Sequence, residues 1–555
     1  MRRATALLAL FAALAVLHTW PLASDVTGLS RLDNNDTGLN VWIVAWVGHI
    51  LPRQPLALFE APIFFPEPHT LAYSEHMFVP GLLGAPLLWA GVSPVTVYNL
   101  LVLAGFALSG WTMSLVVGRW TGSTAGGVTA GMLFAFNAHL LTRLPHLQAL
   151  HVEFFPLAIF AFDRALTRVR GPAVQRGRVT DPESAPASAP PVASASSAAL
   201  ALASAFVLQA LCSNYSLVFL SVALMAAAVV RMPEWLGPGR GARAGALVLA
   251  GGLAAVALLP FLWPYYQVSQ TQGLVRSLGE VRLYSAGWLD YLTTGGRLHY
   301  SWWSHRFFEG RTALFPGVVA LGLVAVALAR RRPLADVRIR MMLAIGVTGL
   351  ALSLGPALPG YAWLHGHLPL LQGIRAAARW GTLALMAVAI LAGYGIAALE
   401  WRWRQSVYRP ALLLAVLGLI TIEALRAPMG YVRTPDVPDI YNRLRGPADA
   451  VLVEIPLYAG PTVSENARYL LNATVHFRRL VNGYSGYESP AFRARAERWR
   501  RFPSEEVVDE MRALGVTHVM VHVEEIARDQ VEGAERSRHL ALEADDGARR
   551  LYRLR

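Results

Sequence analysis

Two carboxylates three residues apart, Asp33 and Asp36, stand among asparagines in SRLDNNDTGLNVWIVAWVGHI (residues 30–50), directly after an apolar segment. An aspartate placed there caps the helix beginning near Thr37, since Asp is a favoured N-cap. It also suits a general base, which must be positioned on a hydroxyl with an accessible pKa. The two roles are compatible, because a helix N-terminus keeps a carboxylate ionised. The same long polar segment ends in Glu75 and His76, within LAYSEH. LPHLQALHVEF supplies His146, Gln148, His151 and Glu153. Its spacing matches no HExxH-type zinc motif, so these groups fit hydrogen bonds to a polar substrate, and His151 with Glu153 equally fits an internally satisfied pair.

Arginines and aromatic rings follow. Residues 264–311 carry Arg276, Arg282, Tyr284, Trp302, Trp303 and His305. Arginines there suit phosphate, which a guanidinium binds through paired charged hydrogen bonds; the tryptophans equally fit an aromatic belt at headgroup depth. Arg375 and Arg379, four apart at the start of an apolar segment, share a helical face and either snorkel to the interface or bind a lipid phosphate. Asn482, Tyr484 and Tyr487 lie in a polar, Gly-rich stretch (465–490) that fits a sugar contact or a surface loop.

The elements that must position these residues are apolar helices. The chain has 555 residues, 54% hydrophobic and only 15% charged, with a mean hydropathy of +0.40; soluble domains carry about a quarter charged residues. All 49 basic residues are arginine, and the net charge of +13 falls mostly in short loops between apolar segments, an orientation signal rather than a nucleic-acid footprint. The single cysteine, Cys212, excludes an intrachain disulfide and a zinc-cysteine cluster. Met1-Arg2-Arg3 before residues 4–20 resembles a signal peptide; because further spans follow, an uncleaved first helix is expected.

A span takes about 20 mostly apolar residues, and about eleven candidates are expected, near 4–22, 94–117, 122–141, 150–166, 198–211, 214–230, 244–263, 312–329, 340–356, 376–399 and 410–427. Residues 77–91, interrupted by Pro80 and Pro86, are expected to be re-entrant or interfacial. With that segment not spanning, the arginine clusters fall on the cytoplasmic side, as the positive-inside rule requires. A cytoplasmic N-terminus, a cytoplasmic linker at 167–197, outer loops at 23–93 and 264–311, and an outward-facing C-terminal region follow from that arrangement. The expected fold class is thus an α-helical polytopic membrane domain (1–427) with a small outward α/β domain (428–555). In the latter, 448–457 and 515–525 read as buried strands and 504–515 as an amphipathic helix. The inner arginines read as simple anchors, and 37–52 as a helix lying along the membrane surface.

The pattern resembles the GT-C glycosyltransferases, and more closely a bacterial glycosyltransferase-like membrane family whose first loop reads GD-x-x-L-N-x-W-I-x-A-W. Here NDTGLNVWIVAW places Asp36 at the family acid and Asn35 at its glycine, with Asp33 as substitute or assistant. LAYSEH (71–76), HLQ (146–148), VRSLGEVRLYSA (275–286), RAAARWGTLALMAVAILAGYG (375–395) and LVNGYSGY (480–487) also match. The resemblance covers most of the chain. It implies a multi-pass bacterial inner-membrane enzyme that transfers a sugar, with inversion, from a polyprenyl-phosphate donor to a lipid, glycan or protein acceptor on the outer face. Asp36 would be the base, Glu75 or His76 a second polar group, and Arg276, Arg282 or Arg375 the partners of the departing phosphate. No cofactor is required, although some relatives use a divalent metal. The competing classes are a lipid-linked glycan flippase, which should place polar groups through the midplane, and a non-catalytic envelope-assembly protein.

Overall fold

Helices occupy all eleven apolar segments: Arg2–His18, Pro94–Thr121, Thr124–Ala135, Phe154–Arg168, Ala195–Cys212, Asn214–Val230, Arg240–Gln272, Val318–Leu328, Val337–Ser353, Gly381–Arg402 and Arg409–Ala424. They belong to a computed structural model that describes residues 2–168, 195–237, 240–273, 276–308, 310, 312–446 and 449–555. Among the described residues three segments are long and apolar enough to cross a membrane: Pro94–Thr121, Arg240–Gln272 and Ala377–Arg402. Several others are shorter apolar helices, so length and composition establish three spans, not eleven. The 77–91 segment is a helix, Phe78–Trp89, with Pro86 inside it. Residues 169–194 of the expected linker lie outside the described residues.

Arg240–Gln272 runs well past the expected end at 263. At 1.5 Å per residue its 33 residues span about 50 Å, longer than the roughly 30 Å hydrocarbon core of a bilayer, and its last turns reach the polar segments around Ser74 and Tyr487. There Tyr265 donates to the Ser74 carbonyl at 2.8 Å, and the Gln272 carbonyl accepts from Tyr487 at 2.8 Å.

The inner arginines are not all simple anchors. Arg231, fully buried, pairs with Asp163 and Glu234, while Asp163 also accepts from Arg338 (3.0 Å) and Trp120 (3.0 Å). A buried guanidinium must find such partners, because leaving one charge of a buried pair alone costs about 3–5 kcal/mol.

The C-terminal region is organised by strands. β1 (Leu29–Ser30) pairs antiparallel with β2 (Val432–Arg433), tying the first polar segment to the chain beyond the last apolar helix. β3 (Val451–Ile455), β4 (Arg479–Leu480), β5 (His518–His522), β6 (Leu540–Asp545) and β7 (Arg549–Leu554) form one sheet in the order β4-β3-β5-β7-β6. β3 runs parallel to β4 and β5, and β7 antiparallel to β5 and β6. The expected strands and helix are present as β3, β5 and Glu505–Leu514. β3 and β5 are buried throughout, which explains their near-continuous apolar runs. Glu454 of β3 is fully buried; its Oε2 accepts from Tyr441 (2.7 Å) and binds His522 (2.7 Å), and Asn482 bonds its backbone N–H and carbonyl.

Backbone hydrogen bonds dock this sheet onto the first polar segment. Phe64 and Phe65 N–H donate to the Asn482 and Leu480 carbonyls, and Leu480 N–H to Pro62. A Cβ on Gly483 would lie 2.4 Å from the Phe64 ring, so glycine is needed where the NGY turn meets Phe64. Asn35–Ile50 is correspondingly buried from Thr37 to Gly48. The helix Ala467–Ala473 packs over it, and a Cβ on Gly38 would come within 3.4 Å of the Ala467 carbonyl.

Candidate active site

The helix Asn35–Ile50 is capped by neither aspartate. Asn34 is its N-cap, its side chain accepting from Asp36 N–H at 3.0 Å. That leaves the Asp36 carboxylate free to point outward. Asp33 is exposed and held by Arg31 in a two-point contact of 2.9 and 3.1 Å, turned to solvent.

Asp36 binds on both sides. His146 Nε2 lies 3.1 Å from Oδ2, and the Tyr484 hydroxyl donates to Oδ1 at 2.5 Å. The His146 turn is fixed by Asn40, one turn along the Asp36 helix, which donates to the Pro145 carbonyl at 2.7 Å, and by Tyr98, which donates to the Leu144 carbonyl at 2.9 Å. Three segments far apart in sequence therefore meet at one carboxylate that keeps 38% of its surface exposed.

Electrostatics around the carboxylate are dominated by arginine. Burial opposes Asp36 ionisation, but the hydrogen bonds from His146 and Tyr484 and the charge of Arg379 outweigh it, holding the carboxyl well below the usual range. Burial depresses His146, Arg379 and Arg143 add to that, and Asp36 only partly offsets them. The ring is therefore neutral near pH 7. With the carboxylate accepting, its proton sits on Nε2, leaving Nδ1 a buried acceptor with no protein partner. Burial and then Asp36 push the Tyr484 phenol well above the ordinary tyrosine range, while Arg375 pulls it back. Burial, with Arg379 the next cause, brings Arg143 down to about 9.

Arg375 and Arg379 are not on one face of an α-helix. Ala377–Trp380 forms a tighter 3-10 turn and the α-helix begins only at Gly381. The reason is Tyr215, whose hydroxyl accepts from the N–H groups of both Arg375 and Ala376 at 3.2 Å. Arg379 then stacks over the Tyr215 ring at 4.7 Å, and Arg375 over Tyr284 at 5.0 Å. Arg379 has no carboxylate partner among the described residues, and its Nε is buried without a hydrogen bond. Arg276 donates to the Gly486 carbonyl at 2.6 Å and shares Glu280 with Arg375, at 3.4 and 3.7 Å.

The remaining expected residues stand further out. Gln148 is buried with its Oε1 unpartnered. Glu75 accepts from Ser213 Oγ at 3.0 Å and Asn214 N–H at 2.5 Å, capping the helix Asn214–Val230; burial raises its pKa. His76 packs among Phe59, Phe261 and Tyr265, its Nδ1 accepting from Phe78 N–H, and burial lowers its pKa to about 4. Arg282 is exposed. His151 and Glu153 pair at 2.9 Å in the interior. Arg143 and Tyr215 join the cluster without any sequence motif of their own, and Glu280 joins it from within VRSLGEVRLYSA (275–286), where the sequence alone singles out only the arginines and Tyr284. Among the described residues no group of three or more His, Cys, Asp or Glu is placed to hold a metal ion.

No family model matches the chain, and no curated protein matches it. Among solved structures it is similar to ArnT from Cupriavidus metallidurans. The form bound to undecaprenyl phosphate gives 12% identity and a TM-score of 0.47 over 98% of this chain and 97% of that one. The apo form gives 13% and 0.42, over 93% of this chain and 96% of that one. At these values neither likeness assigns an activity or a residue role to this chain.

Proposed function

We propose that this chain is a GT-C-type glycosyltransferase of a bacterial inner membrane, with residues 1–427 spanning about eleven times and 428–555 outside. It moves a sugar from a polyprenyl-phosphate donor to an acceptor hydroxyl at the outer face. The observation that carries this reading is the ionised Asp36, between His146 and Tyr484, beside Arg379, which has no carboxylate within ion-pair distance among the described residues. Arg379 and Arg143 repel one another in a buried setting, and an anion between them would relieve that repulsion.

In the reaction the acceptor oxygen attacks the anomeric carbon as the bond to the phosphate oxygen breaks. The hydroxyl proton passes to Asp36, and the electron pair leaves with the polyprenyl phosphate. Arg379, Arg143 and Arg375 meet the charge developing there, where fixed donors contribute most to the rate. A single displacement inverts the anomeric centre. Asp36 holding both its partners is a weak base; an acceptor hydroxyl that takes the place of Tyr484 on Oδ1 removes one of the bonds that depress its basicity.

The test compares transfer from polyprenyl-phosphate sugars in membranes carrying the wild type, Asp36→Asn or Asp33→Asn. Asp36→Asn is expected to lose at least about 100-fold, the usual contribution of general-base catalysis, and Asp33→Asn less than about twofold, as befits an exposed ion pair. Full activity in Asp36→Asn refutes the base assignment, and no transfer by the wild type with any donor refutes the enzyme.

A further inference from the structure

A cavity of about 820 Å³ lies beyond the opposite end of the Asp36 helix. Its wall includes His49, Arg53, Trp89, Ser93, Arg445 and Phe477. His49 is 13 residues from Asp36, which along a helix is about 20 Å, and neither Asp36, His146 nor Tyr484 lines it. We infer that this cavity binds the anionic headgroup of a membrane lipid, at a site separate from the proposed sugar-transfer centre.

The charge of the wall is one-sided. No Asp or Glu lines it, and neither Arg53 nor Arg445 has a carboxylate within ion-pair distance among the described residues. That is unusual for this chain, whose C-terminal arginines are mostly paired, as Arg468, Arg498, Arg512 and Arg550 are. The Arg53 guanidinium is anchored, and so is the backbone that carries Arg445. Arg53 donates to the His49 carbonyl at 2.7 Å. The backbone beside Arg445 is fixed by Arg478, which donates to the Leu444 carbonyl at 3.0 Å and the Arg445 carbonyl at 2.5 Å. The His49 ring stacks on Phe477 with centroids 4.1 Å apart. Burial, then Arg53 and Arg478, lower its pKa to about 4, so at neutral pH it adds a hydrogen-bonding group and no charge.

Position argues for a lipid over a soluble anion. The rim from Leu88 to Pro94 joins two apolar helices, Phe78–Trp89 and the 28-residue Pro94–Thr121, which is long enough to cross a membrane. The cavity therefore opens at the depth where that span begins. Leu82, Leu83, Leu87 and Trp89 on the short helix are exposed, Trp89 by 57%, and present an apolar face to acyl chains beside the cationic wall. A tryptophan at this level is at home in the headgroup layer.

Full-length protein in micelles is titrated with short-chain phosphatidylglycerol, phosphatidylcholine of the same chain length and inorganic phosphate. Phosphatidylglycerol is expected to bind at least about tenfold more tightly than the other two, since charged hydrogen bonds are at stake. Arg53→Gln and Arg445→Gln are each expected to weaken it about tenfold, and Arg528→Gln, on an exposed helix of the C-terminal domain, not at all. Thermal melts of each variant establish that it is folded. Equal affinity in folded Arg53→Gln and Arg445→Gln overturns the site. Equal affinity for phosphatidylcholine overturns its anionic preference, and equal affinity for inorganic phosphate overturns the lipid. None of these outcomes depends on sugar transfer.

Discussion

Tyr484→Phe isolates the hydrogen bond that ties the C-terminal region to Asp36. The substitution removes one hydroxyl and keeps the ring, so the packing of the NGY turn against Phe64 is retained. A hydrogen bond to a charged group contributes about 1.5–3 kcal/mol, or about one to two pKa units. Because the carboxylate is 38% exposed, water replaces part of what is lost, and the lower figure applies, about one unit. The sign follows from the structure: Tyr484 helps hold Asp36 below its ordinary pKa, so its removal raises that pKa. Activity that needs the ionised carboxylate is complete above the pKa and lost as pH falls through it. The acid limb of kcat/KM therefore moves up by about one pH unit, while the plateau near pH 7 to 8 persists. The assay is the pH profile of transfer in wild-type and Tyr484→Phe membranes. An acid limb that stays in place while the protein remains folded refutes the claim that Tyr484 tunes this carboxylate.

Other perturbations test the supporting structure. Asn40→Ala removes the bond to Pro145 that sets the His146 turn and is expected to cost about 1–3 kcal/mol in stability, with kcat falling more than KM rises; a kcat equal to wild type counts against that positioning role. Arg379→Gln leaves the turn at Tyr215 in place and is expected to cut kcat/KM at least about 100-fold, read in steady-state kinetics across donor concentrations. Arg231→Met leaves Asp163 and Glu234 with less compensation and is expected to destabilise the helical region by about 3–5 kcal/mol, measured by thermal unfolding. Glu454→Ala should lower the stability of the C-terminal sheet similarly, its partners Tyr441 and His522 losing their acceptor.

The helical frame was legible because hydropathy is a local property: each apolar run stands as a helix, and the runs of β3 and β5 read as buried strands. Where neighbours decide, the sequence was less informative. Asn34 took the cap that the aspartates were expected to share, a choice between adjacent polar side chains that no spacing rule resolves. The arginine pair at 375 and 379 looked helical until Tyr215, 160 residues away, drew the backbone into a tighter turn. Asn35–Ile50 carries two tryptophans, but its spacing gave no sign that the helix Ala467–Ala473, far on in the sequence, packs over it. Arg143 is a single charge in unremarkable surroundings, and Glu280, though inside the 275–286 motif, gains its part only from its pairing with Arg276 and Arg375. The motif NDTGLNVW did lead to Asp36, but its two partners come from other segments entirely.

The contact between Asp36 and Tyr484 spans 448 residues, and that separation is also an interval of time. At about 5–20 residues per second of synthesis, Tyr484 emerges some 20 to 90 seconds after the carboxylate it meets. Through that interval the apolar helices are being placed while Asp36 stands with its first partner at most, His146, on its own side of the chain. The site is therefore closed by a segment made well after the helix Arg409–Ala424, and a ribosome that stalls between that helix and Tyr484 leaves a carboxylate without its second partner.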